Sequence, residues 1–199
     1  MIEAREQGYR KFWKRRIAST YHSSDSDTPR VKVYAFRPTW KPWAPSHSHF
    51  VYITGGMADA PMPVREAHSG FSRIELSCFA VAVTGFGNPR QDEIARWLHA
   101  FARLPFQENQ PINPGEILDV GQPLAEGSEM SAFYFALTPF VDNDALCRAT
   151  LHAEAVVHVV PISEAERTLV EREGAAALND AFQRAAVTPV FNLGRQSCV

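Results

Sequence analysis

The chain has 199 residues, 45% hydrophobic and 21% charged, with a formal net charge of −2. This composition excludes a disordered chain and fits one domain that buries roughly 70% of its unfolded surface. No apolar run approaches the ~20 residues a membrane helix needs, and residues 1–20 lack the apolar stretch of a secretory signal.

In chain order, residues 3–18 are expected to form a helix with Tyr9, Trp13 and Ile17 on one stripe. Ser19 to Pro29 is polar and turn-rich and is expected to be a flexible connector. Residues 1–28 therefore read as helix plus connector, and 30–199 as the domain. Val31, Val33 and Ala35 alternate in a strand. Pro38, Pro42 and Pro45 break the next stretch around Trp40 and Trp43. His49 to Thr54 and the long apolar Ser72–Val83 read as strands, the second central, with a hairpin loop over Arg65–Gly70.

Asn88-Pro89 opens a helix with Ile94, Trp97, Leu98 and Phe101 on one face, which Pro105 is expected to stop. A loop from Phe106 to Ser128 holds a short strand near Ile117–Val120. Ala132–Leu137 is a strand with Phe133, Phe135 and Leu137 on one face, and Asp142–Thr150 a short helix. Ala155–Val160 is a β-branched, buried strand. Ser163 and Glu166 form a capping box, and Gly174 splits the following helix into two pieces, the second anchored by Leu178 and Phe182. Val187–Leu193 reads as a last strand. The fold class is α/β, a mixed and mostly antiparallel sheet flanked by helices.

Charge is unevenly placed. Residues 1–45 hold ten Lys/Arg against four Asp/Glu, and residues 46–199 hold ten against eighteen. Between Arg103 and Arg148 there is no cation, while Glu108, Glu116, Asp119, Glu126, Glu129, Asp142 and Asp144 fall there. This acidic stretch reads as a solvated face or as a docking face for a basic protein partner, and it would repel nucleic acid.

The segment Phe50–Pro63 reads FVYITGGMADAPMP: a β-rich run, a double glycine, then a proline-bounded turn. It resembles the strand–GMSD-x-P signature of suppressor-of-fused (SUFU) domain proteins. The order of elements extends the resemblance over most of residues 30–199. Ile74-Glu75-Leu76-Ser77 is similar to the family's ELS-like strand, Glu93–Leu104 to its central helix, and Pro161-Ile162 with an acidic helix and Gly174 to its closing segment. The tail Asn192–Ser197 resembles its strand and R-x-S ending. Two positions depart. Ala58 stands where serine is usual, and Gly115-Glu116-Ile117 occupies the region where many members carry a His-Thr pair.

The resemblance implies a non-enzymatic module of the bacterial single-domain type that binds another protein and needs no cofactor. Animal members hold a transcription factor in an inhibitory complex. Bacterial ones are suspected immunity or partner-binding proteins beside secreted toxins, so a basic toxin domain is one expected partner. The expected binding surface joins Met57, Asp59 and Met62 of the glycine turn, Trp40 and Trp43, and the acidic Glu126 and Glu129. Asp59 is also spaced to cap its own turn.

The competing reading is a small metal-dependent hydrolase built on His47, His49 and Glu75, with Asp59 an alternative carboxylate ligand. His47 and His49 lie on one side of an extended chain, but two imidazoles are not a site. His158, in an apolar run, reads as a hydrogen-bonded core histidine, and Cys78 as a buried apolar residue. Ser77 and Ser131 lack a nucleophile elbow, and Gly85-Phe86-Gly87 lacks the third glycine of a dinucleotide loop. Three cysteines without metal spacing fit reduced thiols, hence an expected cytoplasmic location.

Overall fold

The computed structural model describes residues 2–14, 16–22, 29–38, 49–63, 70–81, 91–137, 142–188 and 190–199. Among these residues, seven strands form one sheet in the order β1-β2-β3-β4-β7-β6-β5. They are β1 (Ile17–His22), β2 (Lys32–Phe36), β3 (His49–Gly55), β4 (Ile74–Val81), β5 (Ile117–Asp119), β6 (Met130–Leu137) and β7 (Ala155–Ser163). Only β4 and β7 run parallel; the other neighbours are antiparallel. The helices are α1 (Ile2–Trp13), α2 (Gln91–Gln107), α3 (Asn143–Thr150), α4 (Glu164–Glu173) and α5 (Ala175–Arg184).

Alternation along the strands divides the core between two faces. Val33 and Ala35 of β2, Leu76 and Cys78 of β4, Phe133 and Phe135 of β6, and Val157 and Val159 of β7 turn one way. They meet Ile94, Leu98 and Phe101 of α2, the face that the helix periodicity anticipates. The opposite face carries two helix pairs. Tyr34, Phe36, Val51, Ile53 and Phe79 pack against Tyr9 of α1 and Leu146 of α3. Tyr134, Val160 and Ile162 pack against Val170 of α4 and Leu178 and Phe182 of α5. α1 and α3 approach so closely that a Cβ on Gly8 would lie 2.5 Å from the Ala149 carbonyl oxygen.

Local signals set several boundaries. Asp142 accepts from the Ala145 N–H and caps α3. Ser163 and Glu166 make the reciprocal capping box of α4, and Gly174, at φ +87°, separates α4 from α5. β7 is buried throughout because both faces of the sheet are covered there.

Four expectations are corrected. α1 ends at Trp13, and residues 17–22, read as helix end and connector, form the edge strand β1 paired with β2. Their polar sequence lacks a drier face, so the neighbouring strand supplies what local pattern does not. Pro105 sits inside α2, which continues to Gln107; in the last turn the missing N–H costs one bond only. Among the described residues of 187–193, Phe191 makes an isolated bridge to Ala80 in place of a strand. Leu137 is 49% exposed, beyond the cover that buries Phe133 and Phe135. The expected helix start at Asn88-Pro89 and the loop over Arg65–Ser69 lie outside the described residues.

Candidate functional site

The glycine turn is built on a buried carboxylate. β3 ends at Gly55, and Gly56 takes φ +111°, where a Cβ would lie 2.2 Å from the Arg30 carbonyl oxygen. Only glycine meets both demands. A single 3-10 turn, Met57–Asp59, follows. Beneath it lies Glu75 of β4, fully buried. Its Oε1 accepts from the N–H groups of Gly56 (2.9 Å) and Ala58 (3.3 Å), and its Oε2 accepts from Thr54 Oγ1 (2.6 Å). Burial pushes the Glu75 carboxyl above the ordinary glutamate range, against the pull of Thr54, Arg5 and the two N–H groups.

α1 is locked onto this turn by two side chains. Arg5, almost wholly buried, donates to Asp59 Oδ1 at 2.5 Å and to the Thr150 carbonyl at the end of α3 at 3.1 Å. Tyr9 donates to the Thr54 carbonyl at 2.7 Å. Arg5, Tyr9 and Trp13 are spaced by four, so extending the helical stripe back one turn finds the arginine that sequence reading missed.

A second buried carboxylate fastens the C-terminal segment. Arg195 donates through both terminal nitrogens to Glu166, Nη1 to Oε1 at 2.6 Å and Nη2 to Oε2 at 2.5 Å. Glu166 also accepts from the N–H groups of Ser163 and Cys198, each at 2.9 Å. The guanidinium reaches the Pro161 carbonyl at 2.8 Å and stands 5.4 Å from the Phe182 ring centroid. Burial works to raise the Glu166 carboxyl, but the Arg195 pair and the N–H donors bring it below the ordinary range.

The residues expected to form one binding surface are not together. Met57 and Met62 are buried in the core, so neither offers a contact surface. Asp59 makes no cap bond to its own turn and is spent on Arg5. Glu126 and Glu129 are exposed, with Glu129 accepting from the Ser197 N–H at 2.9 Å. The glycine turn stands at the Ala155 end of β7 and Glu129 at its Ser163 end. Eight residue steps of strand separate those ends, about 26 Å. Trp40, Trp43 and His47 lie outside the described residues.

The hydrolase constellation is not assembled. His49 pairs with Val81 and is six residues along β4 from Glu75, about 20 Å. Glu75 is consumed by three donors and Asp59 by Arg5. Among the described residues, no three His, Cys, Asp or Glu side chains converge as a metal site would require. Cys78 is buried, which raises its thiol pKa well above normal and leaves little thiolate for chemistry. His158 is fully buried, its Nδ1 3.3 Å from Ser77 Oγ and its ring 5.0 Å from that of Phe79, as a core histidine should be. A shallow groove of about 700 Å³ opens where α5 crosses β6 and β7, lined by Tyr134, Ala136, His158, Val160, Asn179 and Phe182. Among the described residues, no aspartate, glutamate or cysteine lines this groove.

No curated protein sequence matches the chain. Solved structures share its fold, three of them as follows. A SUFU homologue from Neisseria gonorrhoeae aligns with TM-score 0.70 and 17% identity over 99% of this chain and 96% of its own. A chain of the Sufu-Fu complex aligns with TM-score 0.65 and 16% identity over 98% of this chain and 91% of its own. Drosophila Suppressor of Fused aligns with TM-score 0.54 and 17% identity over 85% of this chain and 42% of its own. The profile of the family described as Suppressor of fused protein (SUFU) matches residues 27–196, and the chain belongs to that family.

Proposed function

We propose that this chain is a protein-binding module that holds and occludes another protein by surface contact, leaving the bonds of its target intact. The observation that supports this reading most is the exposed acidic edge of the sheet: Asp119 on β5, and Glu126 and Glu129 in the loop that enters β6. In the sequence no lysine or arginine falls between Arg103 and Arg148; Arg167 of α4 stands 3.8 Å from Asp119, so Glu126 and Glu129 are the carboxylates of this edge that form no ion pair among the described residues. Such an edge steers a basic partner and sets the rate of encounter. The family setting agrees, since one structural relative is the Sufu-Fu complex. Sequestration of a basic domain in the cytoplasm is the role we assign, with immunity toward a toxin as one form of it.

The test is charge reversal. Glu126→Lys with Glu129→Lys should lower the association rate for a basic partner about tenfold at low salt and flatten its salt dependence. Unchanged binding at low salt would contradict the electrostatic reading.

A further inference from the structure

The two edges of the sheet carry opposite charge. β5 closes one beside Asp119, Glu126 and Glu129; β1 closes the other among Lys14, Arg16, Arg30, Lys32 and Arg37. From Lys14 to Arg37 the sequence holds six cations, with Arg15 the sixth, against Asp25 and Asp27. Among the described residues, Lys14, Arg16, Lys32 and Arg37 form no ion pair.

β1 is a six-residue strand, partly exposed along its length, and β2 is its one strand neighbour among the described residues. A strand paired on one side presents N–H and C=O groups to an incoming strand. Beside it lies a cavity of about 600 Å³ lined by Ala18, Ser19, Tyr21, Arg37, Pro38 and Phe50. Ser19 Oγ is buried there with no hydrogen-bond partner. A buried orphan hydroxyl is costly, and a ligand acceptor would relieve it. Arg37, exposed and lining the same cavity as Ser19, with Tyr21 and Phe50 as further walls, suits a carboxylate.

We infer that β1 and this cavity form a second docking surface. It takes an extended acidic segment of a partner protein as an eighth strand on the seven-stranded sheet, with one carboxylate on Arg37 and Ser19. A second copy of the chain is disfavoured, because pairing β1 with β1 brings like charges together. A lipid surface or nucleic acid would leave the strand's backbone groups unused. The excess of eighteen acids over ten cations in residues 46–199 also repels a large polyanion. This surface is independent of the acidic edge.

The test titrates the full, isotope-labelled chain with three peptides: acetyl-(Glu-Val)4-amide, its (Lys-Val)4 counterpart, and the Glu peptide N-methylated at alternate residues. The Glu peptide should bind and move the amide resonances of Ile17–His22. Arg37→Glu and N-methylation should each weaken it at least about tenfold, since one removes the charge partner and the other the strand pairing. The Lys peptide should not bind, and Glu126→Lys with Glu129→Lys should leave the affinity unchanged. The inference is overturned if β1 does not respond, if the Lys peptide binds equally, or if N-methylation has no effect. It is also overturned if single-stranded DNA or phosphatidylserine vesicles bind while the Glu peptide does not.

Discussion

Two buried glutamates anchor opposite ends of β7's neighbourhood, and they are held by different means. Glu166 faces its cation directly, through two parallel bonds from Arg195. Glu75 has no such bond: the Arg5 guanidinium, whose charge it feels, is turned to Asp59, and Glu75 is left with two N–H groups and a hydroxyl. The direct pair holds Glu166 charged, whereas burial dominates at Glu75 and favours its proton. A carboxylate inside a protein is thus a latch or a seat according to whether a cation reaches it. Neither is left open for chemistry on a ligand.

The sharpest way to break this contrast is to remove each arginine. Arg195→Met leaves Glu166, at 0% side-chain exposure, without its cation, and should cost about 3–5 kcal/mol in urea unfolding. Arg5→Met leaves Asp59, whose side chain is 31% exposed and can turn to water, so the loss should be about 1–3 kcal/mol. Equal losses would mean the two arginines do the same work.

The pH dependence of stability sharpens the contrast further. Glu166 is lowered in the fold, so its contribution is present above the ordinary glutamate value of 4.5 and fades as pH falls through the lowered value. Glu75 is raised, so its contribution is complete below 4.5 and is lost as pH rises through the raised value. Glu166→Gln should therefore flatten the acid limb of a stability–pH curve, and Glu75→Gln the limb above it. The smallest effect is that of Glu75→Gln at neutral pH, under about 1 kcal/mol, because an amide oxygen can accept from Gly56 and Ala58 while its nitrogen donates to Thr54.

Much of the fold was legible because its signals are local. The cap at Asp142, the box at Ser163 and Glu166, and the split at Gly174 each rest on residues within one turn. β1 was not legible, since Ile17–His22 shows no alternation and gains its structure from β2. The candidate site was legible in type but not in place. Met57 and Met62 sit in a turn-forming sequence, and no local pattern says that this turn folds inward over Glu75. Asp59 and Glu129 are set apart by the parallel pairing of β4 with β7, a tertiary fact. Arg195 and Glu166, 29 residues apart, carry no sequence mark of their pairing beyond charge.

The proposed function places recognition on the exposed carboxylates of the acidic edge and not on the glycine turn, where Glu75 is buried and Asp59 is paired with Arg5. The most direct measurement is the association rate of a basic partner domain, isolated from the source cells, with three chains at low salt: unaltered, Glu126→Lys with Glu129→Lys, and Asp59→Asn. The account predicts a fall of about tenfold for the double reversal and no change for Asp59→Asn when both remain folded. A rate that falls with Asp59→Asn and holds with the double reversal would contradict it.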